Sequence, residues 1–183
     1  MNKVLTVIKS RRSIRRYLPR RIKAAELQAV LEAGLYAPSA HNEQSWHFTV
    51  VRNKDLIDRM SALAKAGMAG EKTDWVKAMG TNEKFHLFYG APVVIVVSMR
   101  RDALSPLVDC SAAIENMLIA AESLDLGTCW IGLARYYFTR KEARARLKIP
   151  AGYEPCYAVA LGYKDQRPAR APQRKAGAVN YID

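Results

Sequence analysis

No stretch of this 183-residue chain approaches the roughly 20 consecutive apolar residues of a membrane-spanning helix. The strongest apolar run, Pro92 to Val97, has the length of one strand. Val4 to Ile8 is apolar except for Thr6, but it is too short for the core of a signal peptide and no small-residue cleavage site follows. A cytoplasmic protein that does not enter membranes is therefore expected. Cysteine is scarce: Cys110, Cys129 and Cys156 are odd in number, widely spaced and free of any CxxC. That argues against a disulfide framework or a zinc site and suits small buried residues. The three histidines, His41, His47 and His86, form no metal-ligand pair at helical spacing. Acidic residues are in deficit, 17 against 29 lysines and arginines, and Asp102 and Asp109 make no familiar acid–base pair. GxGxxG, GxxxxGK[ST] and GxSxG are all missing, which removes the sequence signs of a Rossmann dinucleotide site, a P-loop and a serine-hydrolase elbow.

What is present is an ordinary globular mix, 50% hydrophobic and 25% charged, with a net charge of +12. The size suits a single domain over 1–183, and no internal repeat or linker divides it. The positive charge favours anionic partners, whether phosphorylated cofactors, nucleic acid or membrane surfaces. With so many phosphate-grade cations and no evident catalytic triad, the composition points to a bound cofactor that does the chemistry.

Taken in order, Leu5–Lys9 reads as a short helix. Ala25–Tyr36 reads as a longer one, with Leu27, Val30, Leu31, Gly34 and Leu35 on one face. Trp46–Val51 reads as a strand. Asn53 or Asp55 caps a helix carrying Leu56, Met60, Leu63 and Ala64. Residues 66–89 read equally as a mobile lid or a helical excursion. Val93–Ser98 is a buried strand, apolar throughout. Asp109–Leu126 is the longest helix, with a small-residue face suited to a central helix or a dimer interface, and Gly127 is placed at its C′ position. Thr128–Leu133 is an apolar strand or turn. Thr139–Ile149 is a helix opened by the box Thr139-Arg140-Lys141-Glu142, and Tyr157–Gly162 is the last buried strand. The tail from Tyr163 is basic, proline-bearing and extended.

Two stretches concentrate polar chemistry. Ser10–Tyr17, SRRSIRRY, places Arg11, Ser13 and Arg15 on one face of an extended segment. Guanidinium forks and a hydroxyl match a phosphate. Alone, the stretch also reads as a solvated basic segment or a nucleic-acid-binding arm. The loop Ala37–Trp46 carries hydroxyls, amides and an indole, and also reads as a plain helix-to-strand connection. Cys129-Trp130-Ile131-Gly132 lets backbone approach a flat ligand, since Gly132 has no Cβ; core packing by Trp130 is the alternative.

The blocks SRRSIRRY (10–17), LEAGLYAPSAHNEQSWHFTVV (31–51), GAPVVIVV (90–97), DCSAAIENMLIAAESLDLGTCWIG (109–132) and LKIP to ALGY (147–163), with the basic tail, follow one another in an order that resembles the nitroreductase family of flavoproteins. The resemblance covers most of the chain outside 52–89, and the shortness of the chain implies a reduced lid. It implies an α+β fold with a central, mostly antiparallel sheet flanked by helices. It also implies an intertwined homodimer with C-terminal tail exchange and FMN at each interface. By the same resemblance Arg11 and Ser13 hold the FMN phosphate, Arg12 sits beside them and Arg15 lies near N1 and O2 of the flavin. Pro38, Ser39, Asn42 and Gln44 come from the other protomer, and the backbone of Trp130, Ile131 and Gly132 faces the ring with an N–H near N5. Arg174 matches the family's tail arginine. Pro172 stands where a lysine is usual, with Arg170 or Lys175 as substitutes. Ser45 replaces a frequent proline, which implies a looser loop.

The implied activity is an FMN-dependent NAD(P)H oxidoreductase with ping-pong kinetics, using NADH or NADPH as reductant and a nitroaromatic, quinone or similar small oxidant. Flavin cleavage, dehalogenation or desaturation on the same scaffold are alternatives, since fold does not fix reaction. Nucleic-acid binding is disfavoured because the cations cluster at the chain ends and no such motif is present.

Overall fold

The computed structural model describes residues 2–165 and 171–182. The helices are α1 (Lys3–Ser10), α2 (Ala24–Leu35), α3 (Lys54–Ala69), α4 (Asp74–Thr81), α5 (Pro106–Ser123), α6 (Arg135–Phe138) and α7 (Ala143–Arg146). The strands are β1 (Trp46–Val51), β2 (Val93–Arg100), β3 (Leu126–Ile131) and β4 (Tyr153–Tyr163). They form one sheet in the order β1-β2-β4-β3, with every neighbouring pair antiparallel. The architecture is α+β, as expected.

The unbroken apolar run of β2 follows from its central place. Val93, Ile95 and Val97 join the core shared with Leu27 and Val30 of α2 and Ala113, Ile114 and Met117 of α5. Val94 and Val96 join the opposite core, with Ile57, Met60, Ala64 and Met68 of α3 and Tyr137 of α6. A strand covered on both faces has no solvent side, so the usual alternation vanishes. Asn53 is the cap of α3: its side chain accepts the Leu56 N–H at 2.8 Å. The ambiguous 66–89 stretch is half helical, comprising the end of α3, all of α4 and the turns that lead to β2.

Four expectations need correction. The helix placed over Thr139–Ile149 does not form as one piece. Thr139 has helical dihedrals (φ −72°, ψ −10°) and ends α6, whereas an N-cap must be extended; Arg140 instead donates to the Leu63 carbonyl of α3 at 3.3 Å. The long helix starts at Pro106, whose missing N–H costs nothing in a first turn. Its exit uses Asp125 at φ +58°, and Gly127 lies inside β3 and not at C′. The last strand begins at Tyr153, four residues earlier than its apolar core suggested, and carries a bulge at Cys156 opposite Val97 and Ser98. All three cysteines are free, with Cys110 and Cys129 buried and Cys156 partly so. Among the described residues no helix is long and apolar enough to cross a membrane, and no His, Cys, Asp or Glu grouping could hold a metal ion.

Candidate functional site

The arginine stretch is laid against the sheet as an extended segment. Ser13 bridges Thr128 of β3, and Ile14 donates its N–H to the Thr128 carbonyl at 2.8 Å. Four residues on, Tyr17 bridges Lys164 and Leu18 donates to the Tyr163 carbonyl at 3.0 Å. The anchor is Ile14, 1% exposed. It occupies the space above Gly127, where an added Cβ would lie 2.8 Å from Ile14 Cγ2. The glycine leaves room for the Ile14 side chain against the β3 backbone.

Because Ile14 points inward, its neighbours point outward. The four arginines then divide. Arg12 folds back, donating to the carbonyls of Lys9 and Arg11 at 2.8 and 2.6 Å, which satisfies carbonyls at the end of α1. Arg16 pairs with Asp165 at 3.0 Å. Arg11 has only a long contact to the half-exposed Glu115, 3.8 Å. Arg15 is exposed, its guanidinium 5.7 Å from the centre of the Tyr89 ring. Of the four, Arg11 and Arg15 have the weakest partners among the described residues, a 3.8 Å carboxylate and a tyrosine, and are the best placed to turn to a ligand.

They converge over Cys129 of β3. Burial pushes this thiol up, and Arg15, Arg11 and a hydrogen bond with Ser13 oppose the shift in that order. Tyr17 beneath them donates to the Ile14 carbonyl at 2.7 Å and is pushed far up, chiefly by burial. Beyond Cys129 the backbone runs through Trp130, stacked edge-on to Tyr157 at 5.1 Å, and buried Ile131 to Gly132. Gly132 is exposed, and a Cβ added there would meet nothing within 4 Å. No packing inside the chain calls for a glycine at that point.

The loop after α2 is held differently from the expectation for Ser45. Ser45 is fully buried, and its hydroxyl donates to Asp109 Oδ2 at 2.6 Å, while the Ala40 N–H donates to Oδ1 at 3.0 Å. Glu43 accepts from Arg100 at 2.8 Å and from the Leu104 N–H at 2.7 Å. Ser39 accepts the Gln44 N–H at 3.0 Å, and the Gln44 amide donates to Asn42 at 3.3 Å. His41, Asn42 and Gln44 all have positive φ, between 46° and 54°. The loop is pinned and strained, not loose, and Pro38 and Asn42 remain exposed. Among the described residues no hydrogen bond or ion pair joins this loop to Arg11–Arg15.

In the tail, Arg174 and Lys175 are exposed, and Arg170 lies outside the described residues. Lys164 is committed to Glu122 at 3.0 Å. Two participants, Tyr89 and Asp109, are not read from the sequence, whereas Cys129 is buried as its residue type suggests. Tyr89 lies in the ambiguous stretch. Asp109 was set aside because its partners, Ser45 and Ala40, are distant along the chain.

The arrangement suits a flat phosphorylated ligand on two counts. Two weakly held guanidiniums and a hydroxyl meet over one patch, and backbone without a Cβ lies open at the end of the adjoining strand. A family model for the nitroreductase family matches residues 8–163. A nitroreductase with bound FMN from Bacteroides fragilis superposes with a TM-score of 0.91 at 35% identity, covering 100% of both chains. One from Desulfitobacterium hafniense, also with bound FMN, superposes at 0.90 and 32% identity, again over 100% of both. An FMN reductase [NAD(P)H] of Bacillus subtilis is 28% identical over 189 residues, 99% of this chain and 74% of the relative. The antiparallel sheet, the arginine segment bridged to β3 and the matched span agree: this chain belongs to the nitroreductase family.

Proposed function

We propose that the protein is an FMN-dependent NAD(P)H oxidoreductase acting on nitroaromatics, quinones or similar small oxidants. The observation that carries the reading is the convergence of Arg11, Ser13 and Arg15 beside the open backbone at Gly132, in a chain whose FMN-bound relatives share its fold over their full length.

When bound, FMN supplies the atom that accepts a hydride from the reductant and passes it to the oxidant. The chain's own residues bind and orient. Arg11 and Ser13 answer the phosphate, whose charge is about −1.5 to −2, with charge-assisted hydrogen bonds of about 1.5–3 kcal/mol each. Arg15 would place a cation beside the ring, where it would favour negative charge electrostatically. Tyr89 holds the Arg15 guanidinium from beneath. The Trp130–Gly132 backbone lets the ring approach without steric cost. No side chain is needed as an acid, since solvent or the oxidant supplies protons.

Ser39, Asn42 and Gln44, held by the Asp109 anchor, serve the flavin of a second copy, with Arg174 reaching from the tail. This assignment accounts for a pinned loop that, among the described residues, makes no bond to Arg11–Arg15 of its own chain. The test is a visible spectrum of the purified protein followed by anaerobic NADH or NADPH. A flavin spectrum that bleaches supports the reading. Protein that cannot be loaded with FMN refutes it, and a flavin that neither nucleotide bleaches leaves cofactor binding intact but removes the NAD(P)H activity.

A further inference from the structure

A second cavity, of about 670 Å³, opens between the segment that precedes α2, the first turns of α3 and the turn before β2. Its floor is apolar: Ile22, Leu27, Ile57, Ala91 and Val93, all buried. Its rim carries Arg20, Arg21, Arg52 and Lys54 against one acid, Asp58, a surplus of three positive charges. None of Arg11, Ser13, Arg15, the 38–44 loop or Trp130–Gly132 lines it.

The one acid is already used. Asp58 accepts from Lys54 at 2.5 Å and faces His86 Nε2 at 3.3 Å. Arg20 lies over the Tyr163 ring, 4.4 Å from its centre. Arg21 and Arg52 have no hydrogen-bond or ion-pair partner among the described residues. Like charges gathered at the mouth of an apolar pocket raise one another's energy unless an anion answers them. A carboxylate fits an arginine pair in the bidentate manner, and an aromatic body suits both the floor and guanidinium stacking. The volume lies within the range of about 300–1,000 Å³ common to small-molecule sites.

We propose that this cavity is a binding site, separate from the flavin site, for a small aromatic acid whose carboxylate is held by Arg21 and Arg52. Its near wall is the turn that presents Tyr89 to Arg15. His86 Nδ1 accepts the N–H groups of Phe88 and Gly90, each at 3.2 Å, so a ligand against His86 and Gly90 touches the element that positions Tyr89.

The experiment is calorimetric titration of the full-length, FMN-loaded protein with naphthoate at low salt. Saturable binding is expected, weakened at least about tenfold by the double variant Arg21→Ala/Arg52→Ala and by exchanging naphthoate for neutral naphthamide. Weakening at about 0.5 M salt is also expected. Both arginines are exposed, so the double variant should keep its melting temperature and flavin content. Absence of saturable binding overturns the proposal, as does equal affinity in wild type and variant. Repeating the titration on flavin-stripped protein separates the two sites. Unchanged affinity supports the proposal, and binding that appears only without FMN assigns the acid to the flavin site and overturns it.

Discussion

Ile14 organises the candidate site although it touches no ligand. Its burial above Gly127 forces Ser13 and Arg15 outward, and the local partners of Arg12 and Arg16 leave Arg11 and Arg15 available. Substitutions should therefore act unequally along one basic string. Arg11→Ala is expected to weaken FMN binding by about tenfold to a hundredfold. Arg16→Ala, which loses only a surface ion pair, should change it less than about threefold; flavin-fluorescence titration of both variants checks the contrast. Gly132 offers a complementary case. Its backbone is not in the left-handed region, and no described residue lies within 4 Å of an added Cβ. Gly132→Val should thus alter stability by no more than about 0.5 kcal/mol while sharply reducing FMN affinity. A large loss of stability in urea, or undiminished flavin binding, would remove the open glycine from the site.

At the scale of elements, the loop between α2 and β1 depends on one buried carboxylate. Asp109 is 2% exposed and accepts from both Ser45 and Ala40. Asp109→Ala leaves the buried Ser45 hydroxyl and the half-buried Ala40 N–H unanswered, for an expected loss of about 2–3 kcal/mol, read as a lower urea midpoint. Asp109→Asn should retain part of it. The turn before β2 has its own anchor in His86. Burial is the largest influence on this ring and depresses its protonation, with Asp58 opposing. Two N–H groups already point at Nδ1, so a proton there would displace them. The unfolded chain then binds more protons than the folded one below about pH 6.5. This contribution is fully present above that value and declines as pH falls towards the lower folded-state pKa. Urea midpoints measured from neutral to mildly acidic pH should fall, and His86→Gln should flatten the decline.

For the whole molecule, apolar surface remains uncovered at both ends of the chain. Helix α1 buries no residue and exposes Val4, Leu5 and Ile8, and the tail exposes Val179, Tyr181 and Ile182. A single chain gains nothing from displaying these side chains, whereas a second copy would bury them. If a second copy covers these side chains as proposed, removing residues 171–183 should yield a monomer in sedimentation analysis where the full chain is a dimer, and should lower FMN affinity. A truncated protein that stays dimeric would free the tail from that role.

The family was legible because its marks are local. SRRSIRRY, the loop at 37–46 and CWIG at 129–132 each admit a plainer reading alone, but as short strings in a fixed order they carry the resemblance. The apolar run of β2 and the 3.6-residue periodicity of α2 likewise specify their elements. Other features were decided only in three dimensions. The local capping box at Thr139 lost to tertiary contacts, with Arg140 drawn to α3. Gly127, which reads as a helix stop, is a space for Ile14. Ser45 appeared to loosen its loop until folding brought Asp109 to it across 64 positions of sequence. Which of four neighbouring arginines stay free depends on Asp165 and the end of α1, partners that a linear string does not reveal. Local propensity and residue chemistry are written along the chain, whereas burial and the pairing of charges are properties of the folded arrangement.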